Sequence, residues 1–264
     1  MLTLKSISKT FNPHTVNEKK ALDRFSLHLD PGEFVTVIGS NGAGKSTVMN
    51  AVAGVFLVDA GQILLDGEDI TFMKDYRRAR QIGRLFQDPL SGTAPSMTIE
   101  ENLSLAYLRT AEHVSPFGLS AKDRAYLRER LAALGLGLED RLSTRVGLLS
   151  GGQRQALTLL MATLIPPKVL LLDEHTAALD PATAEKVLAL TRRIVAENHI
   201  TCMMITHNMR SSLEMGTRTI MMDAGRIILD ITGEERRRMT VPGLLERFRA
   251  AAERELDNDR MMLD

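Results

Sequence analysis

The stretch "GSNGAGKST", residues 39–47, constrains the fold of this 264-residue chain more than any other segment. Two glycines at the ends of its loop, followed by Lys45 and Ser46, give the spacing of a phosphate-binding loop. The apolar run "FVTVIG" precedes it, and "STVMNAVAG" follows it. These pieces predict a buried parallel strand, a loop and a helix closed by Gly54, which is the local context that such a loop requires. We therefore expect an α/β protein.

The composition of this loop suits a bound anion. Glycines let backbone N–H groups curl around a phosphate, and the positive end of the following helix adds a favourable field. Lys45 is expected to bridge the β- and γ-phosphates of a nucleotide, and Ser46 to hold Mg²⁺ through its hydroxyl. The predicted nucleotide-binding residues of the loop are Gly39, Ser40, Asn41, Gly42, Ala43, Gly44, Lys45, Ser46 and Thr47.

An acidic pair follows a second apolar run in "KVLLLDEHTAALD". Four apolar residues deliver Asp173 to the carboxyl end of a strand, where α/β proteins place ligands, so Asp173 is a candidate Mg²⁺ ligand acting through water. Its neighbour Glu174 can polarise an attacking water as a general base. The simpler alternative for Glu174 is an acid that caps the next helix.

Two further polar residues come at strand ends. His207 ends "CMMITH", and Gln87 follows "RLF" in "RLFQDP". A lone histidine is more often structural than catalytic, but a strand beside that of Asp173 would bring His207 to the same edge of the sheet. Gln87 could reach both the metal and the attacking water. The predicted Mg²⁺ ligands are thus Ser46, Gln87 and Asp173.

A second glycine-rich helix start lies in "LLSGGQRQAL", where Ser150, Gly151 and Gly152 precede a predicted helix. Its exposed N–H groups and positive end suit an anion. The chain already has a phosphate loop for its own nucleotide, so this second start needs another explanation. A capped helix start is the plain alternative.

The texture of the sequence changes along the chain. The first 35 residues alternate apolar and polar in short pieces, which predicts antiparallel strands, and Asp66-Gly67 in "GQILLDGEDI" predicts a hairpin turn. Alanine, leucine and arginine dominate from about 88 to 163, which predicts a helical insertion. The resulting division is a single domain over 1–235, with a core of about 1–87 and 164–235 and a helical subdomain of about 88–163. A C-terminal helix and tail follow over 236–264, and "EERRR" around Arg236 predicts a solvated face.

Composition excludes several classes of protein. Lys plus Arg and Asp plus Glu are 33 each, so no net charge favours a nucleic-acid partner. The chain has one cysteine, Cys202, which rules out a disulfide within the chain and predicts a buried thiol on a strand in a reducing compartment. We find no signal peptide and no apolar run long enough to span a bilayer. A membrane role would therefore act through a partner.

The motifs "GSNGAGKST", "LFQDP", "LSGGQRQ", "LLLDE", "AALD" and "ITH", in this order, resemble those of the nucleotide-binding subunit of ATP-binding-cassette (ABC) transporters. The resemblance covers roughly residues 1–230. It implies a RecA-like P-loop core with an N-terminal antiparallel β subdomain and an inserted α-helical subdomain. It also implies an ATPase that uses ATP and Mg²⁺, working as a pair of cassettes bound to membrane permease subunits.

The resemblance assigns roles to single residues. Gln87 corresponds to the lid glutamine, Glu174 to the catalytic glutamate, His207 to the switch histidine that contacts the γ-phosphate, and Asp180 to the D-loop acid. Phe11, in "SKTF", lies where the family stacks an aromatic ring on adenine, although packing in the core is an alternative.

The second helix start gains a role in the same way. Ser150, Gly151, Gly152 and Gln153 correspond to the family's signature motif, which closes on the γ-phosphate held by the partner's Lys45. The resemblance therefore implies a dimer with two composite sites.

Two departures from the family pattern stand in "DEHTAALD". His175 occupies a position where most members have proline, and Ala177 one where many have serine. His175 either tunes Glu174 or is a variant turn residue. The segment "TFNPHTVNEKKAL" is also longer and more polar than in many members, which weakens the assignment of Phe11 as the residue that stacks on adenine.

The string "DEHTAALDPATAEKVLALT" resembles a bacterial subset assigned to amino-acid uptake, aromatic amino acids among them. This implies a peripheral subunit at the cytoplasmic face of the inner membrane, with a permease and an extracytoplasmic solute-binding protein as partners and no nucleic acid. The alternatives are a soluble ATPase of the same superfamily in DNA repair or translation, the energiser of an exporter, and a GTPase.

Overall fold

The computed structural model of the chain describes residues 1–110 and 119–250. These residues form two compact units, one within Met1–Ala79 and Thr201–Asp264 and the other within Arg80–Ile200. Part of the predicted helical subdomain and the end of the predicted C-terminal tail fall on residues 111–118 and 251–264, outside the described residues.

The strands of the described chain, in sequence order, are β1 (Leu2–Phe11), β2 (Lys19–Leu29), β3 (Phe34–Gly39), β4 (Ala60–Leu65), β5 (Glu68–Asp69), β6 (Ile82–Leu85), β7 (Val169–Asp173), β8 (Thr201–Ile205), β9 (Arg218–Asp223) and β10 (Arg226–Thr232). The α-helices are α1 (Lys45–Ala53), α2 (Asp75–Arg78), α3 (Ile99–Thr110), α4 (Ala121–Ala132), α5 (Gly151–Thr163), α6 (Pro181–Glu197), α7 (Met209–Glu214) and α8 (Gly233–Arg238), and residues 241–250 are also helical. Single 3₁₀ turns occur at Pro89–Gly92, Leu138–Asp140 and Val146–Leu148.

The first unit contains the predicted antiparallel strands and the predicted buried strand. Strands β2, β1, β4 and β5 lie side by side in that order, and every pair is antiparallel. Strands β10, β9, β3 and β8 form a second set in which β3 runs parallel to both neighbours. Five of the six residues of β3 are buried, as its continuous apolar sequence predicted.

Two predicted local features of this unit are confirmed. Asp66 and Gly67 both have positive φ, 53° and 83°, which is the backbone of a two-residue hairpin turn between β4 and β5. Gly54 closes α1 in the left-handed conformation, with φ 80°. Cys202 is fully buried on β8, and burial raises the pKa of its thiol.

The prediction of a solvated "EERRR" face is wrong at Arg236, which is only 8% exposed. Its guanidinium donates to the Ser212 and Met215 carbonyls at 2.9 and 2.6 Å and to Thr219 Oγ1 at 3.0 Å. Burial lowers the pKa of Arg236. The arginine thus gives two carbonyls near the end of α7 a charged donor, a tertiary role that charge patterning in α8 does not reveal.

The second unit joins a two-stranded parallel element to a helical cluster. Strands β6 and β7 are parallel, and all but the last residue of β7 are buried. Helices α3, α4 and α5 lie within the segment predicted to be helical. Their shared apolar core contains Ile99, Leu103, Leu127, Leu131, Leu157 and Leu160.

No helix in the described part of the chain is both long enough and apolar enough to cross a membrane.

Candidate active site

The phosphate loop leaves β3 and enters α1 in a conformation that requires glycine at two positions. Gly39 has φ 149°, and a Cβ there would lie 2.2 Å from the Met222 carbonyl oxygen. Gly44 has φ 96°, and a Cβ there would lie 2.5 Å from the Ala21 carbonyl oxygen. Real Cβ atoms do not approach an oxygen this closely. The backbone at Met222 and at Ala21 can therefore pack against the loop only because the loop has glycine at these two positions.

The turn between β9 and β10 holds the loop from one side. The Ser40 hydroxyl donates to Asp223 Oδ1 at 2.7 Å, and the Gly225 N–H donates to the Ala43 carbonyl at 3.0 Å. Within the loop, the Ala43 N–H donates to the Ser40 carbonyl at 3.2 Å. The sequence did not predict a role for Asp223 or Gly225, because both lie about 180 residues along the chain from the loop.

Lys45 is the charged centre of this loop. The residue is 6% exposed, and its ammonium donates to the carbonyls of Gly39 and Ser40 at 2.8 Å each. Helix α1 begins at Lys45, and no side chain caps its first turn because the capping position is Gly44. The loop therefore combines a held ammonium with the positive end of a helix, which together favour a phosphate.

Phe11 lies at the end of β1, half-buried. Its ring meets that of Phe56 edge to face, with centroids 5.3 Å apart and an interplanar angle of 85°. Phe11 pairs across the ladder with Lys19, whose Nζ lies 3.1 Å from the position of a Cβ on Gly42. The end of β1 is thus close to the phosphate loop, and the stacking role of Phe11 stays a prediction.

His207 lies two residues beyond β8 and is exposed. Strand β8 is parallel to β3, with Ile205 opposite Val37, and the Thr206 N–H donates to the Val37 carbonyl at 3.2 Å. Because β3 leads directly into the phosphate loop, His207 and that loop leave the same edge of the first unit's parallel strands.

In the second unit, Asp173 and Gln87 also lie at the carboxyl ends of neighbouring parallel strands. Asp173 ends β7, Gln87 comes two residues after β6, and Leu172 is opposite Leu85 in the parallel pair. The two side chains therefore leave one edge. Arg84, which the sequence did not single out, lies with Nη2 3.9 Å from Asp173 Oδ2 and its guanidinium 4.5 Å from the centre of the Phe86 ring.

The chain turns sharply at Glu174, directly after β7. Glu174 has φ 47°, which is uncommon for a residue other than glycine. His175 follows it and is buried, with Nε2 3.2 Å from Thr191 Oγ1. Burial lowers the pKa of His175 to about 4, so the ring is neutral at physiological pH. His175 does stand in a turn, as one interpretation predicted, but its side chain is part of the interior.

The signature segment begins α5 with a reciprocal cap. Ser150 Oγ accepts from the Gln153 N–H, and Gln153 Oε1 accepts from the Ser150 N–H, both at 3.2 Å. The capped start predicted from the sequence is therefore confirmed. Since the serine oxygen is the acceptor in this cap, the exposed hydroxyl keeps its hydrogen for another partner.

The starts of α5 and α6 lie against each other. A Cβ on Gly151 would be 3.1 Å from Leu179 Cδ2, and one on Gly152 would be 2.2 Å from Thr183 Cγ2. Asp180 caps α6 by accepting from the Thr183 N–H at 3.1 Å, and hydrogen bonds from Thr183 lower the pKa of that carboxyl. The predicted signature residues and Asp180, the predicted D-loop acid, are thus neighbours in one unit.

The structure brings the predicted residues together in two groups. The first unit holds Phe11, the phosphate loop and His207, and the second holds Gln87, Asp173, Glu174, Asp180 and residues 150–153. Over residues 1–110 and 119–250, no three His, Cys, Asp or Glu side chains gather as a metal-binding group. A hydroxyl, an amide and one carboxylate, from Ser46, Gln87 and Asp173, are hard oxygen donors of the kind Mg²⁺ takes when phosphates complete its shell.

Comparison with known proteins gives a consistent result. The sequence profile described as "ABC transporter" matches residues 22–177. The tyrosine transport ATP-binding protein of Clostridioides difficile is 44% identical over 95% of this chain and 100% of its own length. The sulfate/thiosulfate import ATP-binding protein of Bordetella parapertussis is 36% identical over 86% of this chain, which spans 60% of that relative.

Solved structures agree with the sequence relatives. A dimeric ATP-binding cassette, MJ0796, bound to ADP and phosphate superposes with a TM-score of 0.76 at 27% identity, covering 88% of this chain and 98% of the cassette. The ADP form of MJ1267, a cassette of an ABC transporter, gives a TM-score of 0.74 at 28% identity, with coverage of 89% and 92%.

Proposed function

Because this chain belongs to the ABC transporter family, as one of its ATP-binding subunits, we propose that it binds and hydrolyses ATP to drive the import of an amino acid through partner permease subunits. The observation that carries the proposal is the phosphate loop. Its ammonium is buried and held within the loop, and its backbone excludes a Cβ at Gly39 and Gly44. Such a cradle fits the phosphates of a nucleotide.

Each catalytic residue then has a defined task. Glu174 accepts the proton of the attacking water, and His207 contacts the γ-phosphate. Lys45 balances charge on the β- and γ-phosphates. Ser46, Gln87 and Asp173 are the residues that would hold Mg²⁺, which when bound neutralises charge that develops during phosphoryl transfer.

Two copies of the chain are needed for one turnover. The signature hydroxyl of Ser150 keeps its hydrogen after capping α5, so it can donate to the γ-phosphate held by the partner's Lys45. Gly151 and Gly152 let the backbone approach that phosphate. The similar cassette MJ0796 is described as dimeric in a state bound to ADP and phosphate, which supports this arrangement.

The proposed import function implies a location for the subunit, its partner proteins and a solute. The subunit would lie at the cytoplasmic face of a bacterial inner membrane, where it would bind the permease, and an extracytoplasmic binding protein would deliver the solute. The tyrosine transport relative matches 95% of this chain, so we assign an aromatic amino acid, with tyrosine first, as the solute. The ATPase subunit does not contact the solute, so this assignment rests on that relative and on the resemblance of residues 173–191 to an amino-acid uptake subset.

An ATPase assay with the purified chain tests the nucleotide. We expect phosphate release from Mg-ATP in preference to Mg-GTP, and loss of nucleotide binding in Lys45→Ala. Equal use of GTP, or normal ATP binding by Lys45→Ala, would contradict the proposal.

Uptake of labelled tyrosine by cells that lack this gene tests the solute. The proposal expects uptake to return with the wild-type chain and not with Glu174→Gln. Restored uptake of sulfate or methionine in place of tyrosine would refute the solute assignment and leave the ATPase function standing.

A further inference from the structure

The buried side chain of His175 connects the turn after β7 to helix α6. His175 is 2% exposed and Thr191 is fully buried. The Thr191 hydroxyl donates its single hydrogen to the Val187 carbonyl at 2.8 Å, so it can only accept from His175 Nε2, 3.2 Å away. The imidazole is therefore an N–H donor at Nε2, tied to the middle of a long helix.

The residue before His175 has an unusual backbone. Glu174 adopts φ 47°, the left-handed region that favours glycine, asparagine and aspartate over a residue such as glutamate. A backbone of this kind persists only where the structure on both sides over-determines it, and such positions concentrate at functional sites.

Both sides of Glu174 are fixed here. On the N-terminal side, β7 is buried and its Leu172 is opposite Leu85 of β6. On the C-terminal side, the Glu174 carbonyl accepts from the Ala177 N–H at 2.9 Å, which closes a turn with His175 at its second position. The turn itself is partly exposed around Ala177, so the interior contact on this side comes from the imidazole.

We infer that His175, through its hydrogen bond to Thr191, is a positioning residue that holds Glu174 in the left-handed conformation and so sets the direction of its carboxylate. The single N–H of the ring is directed at Thr191 and is not donated to Glu174. The inference rests on the proposed function, because it takes Glu174 as the general base.

Steady-state ATP hydrolysis by the purified full chain tests the inference through two substitutions that break the bond from either end. His175→Phe keeps an aromatic ring without the donor, and Thr191→Val keeps the shape without the hydroxyl. We expect each to lower kcat by about ten- to hundredfold, since a small displacement of a reacting group costs rate on this scale. The KM for ATP should change by less than about twofold, because phosphate binding is made elsewhere.

Two comparisons separate positioning from general destabilisation. Thr191→Ser keeps the hydroxyl and should retain wild-type kcat. Thr163→Val is a matched control, because Thr163 is also fully buried in a helix and donates to the carbonyl four residues earlier, Leu159, at 2.7 Å, without a histidine partner. It should lower the unfolding temperature as Thr191→Val does, with kcat unchanged.

The double variant His175→Phe/Thr191→Val should lose no more kcat than either single variant, because both remove one bond. Added to Glu174→Gln, His175→Phe should cause no further loss. The inference is overturned if His175→Phe retains wild-type kcat, if Thr163→Val lowers kcat as much as Thr191→Val, or if the losses add.

If wild type and Glu174→Gln release phosphate at the same rate, the role of Glu174 as base is wrong. If Glu174→Gln is inactive while His175→Phe matches wild type, the base stands and the positioning role is wrong.

Discussion

Gly152, at the start of α5, lies so close to Thr183 of α6 that a Cβ on the glycine would meet Thr183 Cγ2 at 2.2 Å. Threonine is stiff about its Cα–Cβ bond, so its methyl cannot move away without cost. The contact ties the signature helix to the helix that Asp180 caps. A shift of the start of α5 therefore also displaces the start of α6.

Gly152→Ala should destabilise the protein by about 1–3 kcal/mol through overpacking, although alanine has the better helix propensity. Thr183→Ser removes the opposing methyl, so it should restore most of the loss in the double variant. Gly151→Ala is the matched control, since its Cβ would meet only the flexible end of Leu179 at 3.1 Å. Urea denaturation checks all three, and equal losses for Gly151→Ala and Gly152→Ala would contradict the steric account.

Arg236→Ala should lower the free energy of unfolding by about 2–3 kcal/mol, because the buried carbonyls of Ser212 and Met215 lose a charged donor. Its neighbour Arg237 is 76% exposed in its side chain and pairs with Glu234 at the surface. Arg237→Ala should change stability by less than about 0.5 kcal/mol. Chemical denaturation of the two variants under one condition compares them. Similar effects would mean that the buried hydrogen bonds of Arg236 stabilise the protein no more than the surface ion pair of Arg237 does.

Asp23 should make stability depend on acid pH. Hydrogen bonds from Lys20 and Arg226 lower the pKa of this buried carboxyl from 3.8 to about 2. A depressed pKa means that the stabilisation is complete above pH 3.8 and is lost as pH falls through about 2. The stabilisation from ionised Asp23 is at most about 2 kcal/mol. Solvent screening makes it smaller, because Lys20 and Arg226 are half exposed.

Unfolding free energies of Asp23→Asn and wild type, measured at pH 7 and pH 3, test this dependence. We expect the variant to be about 1–2 kcal/mol less stable at pH 7 and the difference to fall by about half at pH 3. A difference of the same size at both pH values would show that the charge of Asp23 is not what stabilises the fold.

Ser150→Arg should abolish ATP hydrolysis while ATP binding to the monomer stays within about twofold of wild type. The serine is exposed at the start of α5, so the arginine blocks approach of a second copy without entering the phosphate loop. Fluorescent-nucleotide titration and phosphate release measure the two effects. A parallel loss of binding and hydrolysis would indicate that Ser150 acts within its own chain.

Local motifs made much of this molecule predictable. The turn at Asp66-Gly67, the cap at Ser150 and the strand before the phosphate loop each follow from residues within a few positions of one another. The helical segment around α3, α4 and α5 follows from composition and periodicity.

Contacts between distant parts of the chain were not predictable. Ser40 bonds Asp223 across 183 positions, and no spacing rule connects them. The sequence around Arg236 predicts a surface arginine, because the carbonyls that accept its hydrogen bonds lie on other elements and cannot be seen in the local pattern. The bond from His175 to Thr191 is likewise invisible until α6 is placed on the turn after β7.

The central claim is that two copies of this chain enclose ATP between the phosphate loop of one and the signature segment of the other. Size-exclusion chromatography with light scattering on Glu174→Gln, with and without Mg-ATP, tests it most directly. We predict a dimer that holds two ATP molecules per pair and releases no phosphate. A variant that binds ATP but stays monomeric, under conditions where the wild type hydrolyses ATP, would contradict the claim.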